Sequence, residues 1–328
     1  MPELLAFVLL LAITAYSTAG GVDFGAGIWD LLAGTTRPGR EARALIDHAM
    51  APVWEVNNVW LVLAIVLCWT AFPPLFQATF ADLYPLFTLA LIGLVLRGAF
   101  FAFRHVADSP RAHRVADLVF GVSSVLTPFF FAASLGAIAS GRVGHGVGQA
   151  CLNPMALAFG LVSVAATAFS GASFLVGDAR RYRAPEMVAY FRRRVIASGF
   201  GLIAIGTISL LVIGLEAPSL LRSMLLGAGL PFALVTVVLT PVVMWLAWRG
   251  LFRGNRVLTV AAVGSLVFAW AFAQSPYLLP GKLTIEQAIA PPGTRAVLLA
   301  VTVVLVLVVV PAMGLLYYLD QRNTLESP

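Results

Sequence analysis

The sequence predicts an all-α polytopic membrane protein, about nine transmembrane helices in one integral membrane domain spanning 1-328. Three observations carry this. Apolar residues make up 60% of the 328 and charged residues only 11%, against roughly a quarter charged in a soluble domain. Apolar runs of about 20 residues recur from end to end, the length that crosses a hydrocarbon core. The basic residues also fall in alternate connections between those runs, as membrane topology requires.

Taken in order, the spans are expected at Leu4–Gly21, Asn57–Phe76, Leu83–Phe103, Ala116–Ser140 and Pro154–Val176. They continue at Val195–Leu215, Leu225–Trp248, Val257–Phe272 and Arg295–Leu319. The first run, with small Ser17-Thr18-Ala19-Gly20 behind it, mimics a signal peptide. It carries Glu3 and no basic n-region, so it is read as the first helix. Connections after spans 1, 3, 5 and 7, with the C-terminal tail, hold seventeen of the 21 basic residues. That bias places the N-terminus outside and the C-terminus in the cytoplasm. Arg40 to Met50 is expected to form a short cytoplasmic helix with Ala44, Leu45 and Ala49 on one face. Beyond span 8, Gln274-Ser275-Pro276-Tyr277, Pro280-Gly281 and Pro291-Pro292-Gly293 mark an outer loop.

The composition and motifs exclude several functions. The net charge of +6 comes from arginines in short connections, so nucleic acid is not the expected partner. Cys68 and Cys151 make no CxxC and are read as packing residues. His48, His105, His113 and His145 all fall in loops or at helix ends, so no haem is expected on this chain. No phosphate-binding loop, nucleophile triad or metal-ligand spacing occurs, and no catalytic or metal residue is assigned. The chain alone is not expected to be a catalyst.

The polar residues that remain lie near the mouths of the spans. Ala51 to Trp60 puts Glu55, Asn57 and Asn58 between Trp54 and Trp60, just before the apolar run Leu61 to Phe76. Glu55 is either a carboxylate held by a helix N-terminus or a proton acceptor at the entrance of a route into the membrane. Asn57 and Asn58 suit a helix cap or a bond to a neighbouring helix. Trp60 reads as an interfacial anchor, and Trp54 can serve as one. Asp23 stands among Gly20, Gly21, Gly25 and Gly27, a density that permits close helix approach. On position alone, a structural ion pair with an arginine is its favoured reading. Arg97, deep in span 3, is the natural counter-charge for Asp23 or Glu55. Arg104 is expected to snorkel to the headgroups. Asp117 is a helix N-terminal charge or a further member of one polar cluster with Asp23, Glu55 and Arg97.

These residues resemble subunit II of the cytochrome bd quinol oxidases. The family has a segment close to Gly-Phe-Asp-Phe-Gly-Val-Gly, where this chain has Gly21-Val22-Asp23-Phe24-Gly25-Ala26-Gly27. A second, close to Pro-Val-Trp-Asp-Gly-Asn-Glu-Val-Trp-Leu, is met by Pro52 to Leu61. Ala71-Phe72-Pro73, Leu96-Arg97 through Arg104, Asp117, Leu152-Asn153-Pro154 and Gly171-Ala172 follow in the expected order. So do Gln274 to Tyr277 and Leu283-Thr284-Ile285. Glu55 in place of the usual Asp, Val56 in place of Gly, and Asn58 in place of Glu or Gln mark a divergent member.

The resemblance implies two four-helix bundles with one peripheral helix, in a bacterial inner membrane. It implies a heterodimer with a larger subunit I carrying b-type and d-type haem, with quinol and O₂ as substrates of the complex. The acid in the position of Glu55 would then line a cytoplasmic proton path, and a bound quinone is implied for some members. Two other classes stand against this reading: a proton-coupled secondary transporter and a quinone-docking anchor of another respiratory enzyme. Nine spans without matched broken helices in each half suit the transporter poorly.

Overall fold

The computed structural model describes residues 2–50, 57–106 and 109–321. Glu55 and Trp54 lie outside the described residues. The first span runs farther than expected. Helix α1 (Pro2–Ala15), a π-helical turn (Tyr16–Gly20) and α2 (Gly21–Leu31) join into one 30-residue segment. Glycines do not end it at Gly21, because neighbouring helices pack against this stretch and leave the backbone no competing solvent. Asp23 therefore sits within a membrane helix and not at its inner end.

Helix α3 (Arg37–Met50) begins three residues before the expected start. It buries Ala42, Leu45, Ile46 and Met50, an i, i+3, i+4, i+8 face, and leaves Ala44 exposed. Helix α4 (Asn58–Ala71) stops at Phe72, whose φ of −130° leaves the helical region. Pro73 causes this, since its ring excludes the helical conformation for the residue before it. The expected span Asn57–Phe76 is thus cut short, and the next helix, α5 (Pro73–Val106), starts ten residues early.

Helix α6 (Pro110–Ala139) and the later α8 (Pro154–Arg181) start alike. Ser109 and Asn153 accept hydrogen bonds from the backbone N–H three residues on, and proline fills the first helical position. Between them lies the short α7 (Val147–Cys151). Then come α9 (Pro185–Glu216), α10 (Pro218–Leu226), α11 (Leu230–Arg249) and α12 (Asn255–Gln274). The expected span Leu225–Trp248 breaks at Gly227–Gly229 into α10 and α11. Beyond α12, the connection forms a small antiparallel hairpin of β1 (Tyr277–Leu279) and β2 (Leu283–Thr284). The capped turn α13 (Ile285–Ala288) and the long α14 (Pro292–Gln321) follow.

Among the described residues eight helical segments are long and apolar enough to cross a membrane, and α4 is a shorter ninth. They pack as two bundles. The first holds α1–α2, α4, α5 and α6; the second holds α8, α9, α11 and α12; α14 rests outside, against α4.

Helix α8 joins the two bundles, packing on α2 and α6 on one side and α9 and α12 on the other. Its buried face is mostly small: Ala165, Ala166, Thr167, Ser170, Gly171, Ala172 and Ser173. Helices surrounded by lipid gain little from burying apolar area against each other, so close backbone approach and dense contact decide their association. The closest approach is at Gly25 and Gly171. A β-carbon on Gly25 would lie 1.9 Å from the Thr167 carbonyl oxygen, and one on Gly171 2.4 Å from the Gly25 carbonyl carbon. The Trp29 indole locks the same seam with a 2.8 Å hydrogen bond to the Ala168 carbonyl.

Candidate functional site

Two polar layers cross the first bundle. In the upper layer the buried Asp23 carboxylate accepts a 2.6 Å hydrogen bond from Asn57 Nδ2. Asn57 precedes α4 and makes no side-chain cap to it, so its amide serves the neighbouring helix. Arg97, also buried, donates from Nη2 to the Asp23 carbonyl oxygen at 3.1 Å and from Nε to Ser124 Oγ at 3.1 Å. Arg97 thus meets Asp23 at its backbone carbonyl, and among the described residues its guanidinium is not within ion-pair distance of the carboxylate. Its guanidinium also lies 5.0 Å from the Phe24 ring centre and 5.2 Å from that of Phe120.

The second layer lies seven residues farther along both α2 and α5, about two helical turns toward the basic end. Asp30 is 1% exposed and Arg104 5% exposed, with Arg104 Nη1 at 3.1 Å from Asp30 Oδ2. Arg43 Nε stands 3.4 Å from Asp30 Oδ1. Arg104 also pairs with Asp47 of α3, and its Nη1 is 3.9 Å from Asp117 Oδ1. Arg104 thus does not snorkel. Three carboxylates and two aromatic faces draw it inward, with the Phe120 and Phe101 ring centres 4.6 Å and 5.0 Å from its guanidinium. The single polar cluster expected from sequence is two layers, with the buried Phe120 ring between the two guanidiniums.

Other expected residues separate from these layers. Asn58, the first residue of α4, is partly buried and makes no side-chain hydrogen bond among the described residues. Trp60 packs against Tyr16, Phe24 and Leu61 inside the bundle. Sequence reasoning missed Asp30, Asp47, Arg43, Ser124 and Phe120. One signal was available: Asp23 to Asp30 and Arg97 to Arg104 are each seven apart, which puts both acids and both arginines on matching helix faces.

Beside the upper layer a mainly apolar cavity of about 660 Å³ runs between α1, α4, α5 and α6 to the end of α12. Leu9, Ile13, Phe24, Leu61 and Phe131 are among its walls. Tyr16, in the π-helical turn, also lines it and packs edge-on to Phe24 and Phe131. The Tyr16 hydroxyl is buried and has no hydrogen-bond partner among the described residues. Among those residues no group of three His, Cys, Asp or Glu side chains is placed to hold a metal ion.

The profile of the family described as cytochrome bd terminal oxidase subunit II matches residues 1–320. The chain belongs to this family. Among family members of known sequence, it is similar to cytochrome bd-I ubiquinol oxidase subunit 2 of Escherichia coli (strain K12), 29% identical over 202 residues. That match covers 57% of this chain and 52% of the relative, so it spans about half the length of that protein. A putative cytochrome bd menaquinol oxidase subunit II of Bacillus subtilis (strain 168) is 23% identical over 327 residues, covering 94% of this chain and 92% of the relative. The solved bd oxidase from Geobacillus thermodenitrificans superposes with a TM-score of 0.78 at 11% identity, over 98% of this chain and 99% of that one. At that identity the match establishes the shared fold. Family and apolar helices together make this a multi-pass membrane protein of the bd oxidase subunit II type.

Proposed function

We propose that the chain is the haem-free subunit II of a bd-type quinol oxidase in a bacterial inner membrane, active only beside a larger subunit I that carries b-type and d-type haem. The complex takes electrons from quinol and reduces O₂ to water. This chain stabilises subunit I and lines the route by which protons arrive from the cytoplasm. Family membership supports the oxidase reading. The proton route rests on one observation: a buried carboxylate, Asp23, bonded to the Asn57 amide that precedes α4, with the buried guanidinium of Arg97 bonded to the Asp23 backbone carbonyl.

Glu55, two residues before Asn57, accepts the proton at the entrance. Asn57 orients the Asp23 carboxylate, and Arg97 stabilises its negative charge in a medium that strongly disfavours one. Asn58 flanks the entrance, while Asp117 belongs to the layer on the cytoplasmic side. The cavity beside Tyr16 fits a bound quinone, because its apolar walls suit a long hydrocarbon tail.

The test is oxygen consumption by the purified complex carrying Glu55→Ala or Asp23→Asn, alongside its reduced-minus-oxidised haem spectrum. Slower turnover with an unchanged spectrum is expected. Undiminished oxygen consumption in both variants removes the proton route. A colourless chain that purifies alone removes the oxidase reading.

A further inference from the structure

The arginines at the basic end divide into paired and unpaired groups. In the first bundle and the α3 helix beside it, Arg37 meets Glu41, Arg43 meets Asp30, and Arg104 meets Asp30, Asp47 and Asp117, while Arg40, Arg111 and Arg114 are exposed with no carboxylate within ion-pair distance among the described residues. In the second, Arg256 holds Asp178. Arg192, Arg193, Arg249 and Arg253 are all exposed, and among the described residues no carboxylate lies within ion-pair distance of them.

The topology brings Arg192 and Arg249 to one height, with Arg193 and Arg253 close to them in sequence. Helix α9 leaves the basic end and α11 returns to it, and they touch where a β-carbon on Gly199 would meet the Met244 side chain, 2.5 Å from its sulfur. Arg192 lies seven residues from Gly199 and Arg249 five from Met244, both toward the basic end. At 1.5 Å per residue these are about 10 Å and about 8 Å, so both arginines stand in one layer. Phe200, Trp245 and Trp248 are exposed between that layer and the apolar wall. The Arg249 guanidinium lies 5.5 Å and 5.2 Å from the Trp245 and Trp248 ring centres, which fixes it at the aromatic belt. The charge bias of membrane loops accounts for the sign of these residues. It does not by itself require unpaired arginines above an aromatic ledge.

We propose that the seam between α9 and α11 is a binding site for an anionic phospholipid. Its phosphodiester is held by Arg192, Arg193, Arg249 and Arg253, with acyl chains lying along Phe200 and Trp245. Charge complementarity selects this occupant: four unpaired guanidiniums bordering an apolar membrane face match a phosphate attached to hydrocarbon.

The test uses the whole complex in nanodiscs, with phosphatidylglycerol or cardiolipin exchanged for phosphatidylcholine, and native mass spectrometry after mild extraction. Anionic lipid should be retained and should raise the thermal midpoint, while free inorganic phosphate should not. Replacing Arg192, Arg193, Arg249 and Arg253 by Gln should weaken lipid retention at least tenfold and leave the midpoint in phosphatidylcholine unchanged. Replacing Arg37, Arg40, Arg111 and Arg114 by Gln removes the same charge from the first bundle and should have no such effect. If the fourfold variant does not assemble, the Arg192→Gln/Arg249→Gln pair and the wild-type lipid exchange carry the same readout. Equal loss in both fourfold variants, no lipid selectivity in the wild type, or a rise with phosphate overturns the proposal. So does loss of the partner subunit in place of lipid, which would make the patch a protein interface.

Discussion

Replacing Gly25 by Ala should separate the two bundles. The new methyl carbon would stand 1.9 Å from the Thr167 carbonyl oxygen and 2.8 Å from the Gly171 nitrogen, all backbone atoms that no rotamer change can move. Restoring ordinary contact needs α2 and α8 to part by more than about 1 Å, and overpacking of this kind costs about 1–3 kcal/mol. The Trp29 hydrogen bond to Ala168 lies four residues along the same seam and would stretch beyond bonding range. A buried donor left unpaired adds about 1–3 kcal/mol. Together the loss should be about 2–6 kcal/mol, a fall of roughly 30-fold or more in the ratio of folded to unfolded protein. The control is Gly201→Ala in α9, where a β-carbon meets nothing within 4 Å. There the change should be neutral or stabilising by up to about 1 kcal/mol, because alanine is the better helix former. Unfolding of the purified complex in graded denaturing detergent measures both. If Gly25→Ala resists unfolding as well as Gly201→Ala, the close crossing does not hold the bundles together.

Three further predictions concern the polar layers. Arg104→Leu leaves Asp30 buried and facing Asp117 without this cation, and should destabilise by about 3–5 kcal/mol; adding Asp30→Leu should recover part of the loss, which a double-mutant cycle of unfolding midpoints measures. Phe120→Ala removes the ring between the two guanidiniums and should destabilise by about 3–5 kcal/mol in the same assay, whereas Phe120→Leu should retain most of the stability. Asn57→Leu deprives the Asp23 carboxylate of its 2.6 Å partner. On the proposed proton route it should slow oxygen consumption at least tenfold while the haem spectrum of the complex stays intact; turnover at the wild-type rate would show that the Asn57 bond has no part in it.

Hydropathy is a property of one residue and its chain neighbours, so the sequence alone determined the membrane class, the approximate spans and the basic end. It also disclosed the glycine-dense stretch around Asp23, because a run of small residues in an apolar segment has little use except close packing. Boundaries failed where local geometry outweighed composition: Pro73 divides α4 from α5, and Gly227–Gly229 divides α10 from α11. The site itself is a matter of pairs. Arg97 with Asp23 and Arg104 with Asp30 are each 74 residues apart. Whether such a pair forms depends on the rotation of α2 and α5 about their axes and on how far α6 lets an arginine reach. Arg104 looked like a headgroup anchor because its neighbours in sequence are apolar. Only the packing of α2, α3 and α6 around it supplies the three carboxylates that draw it inside.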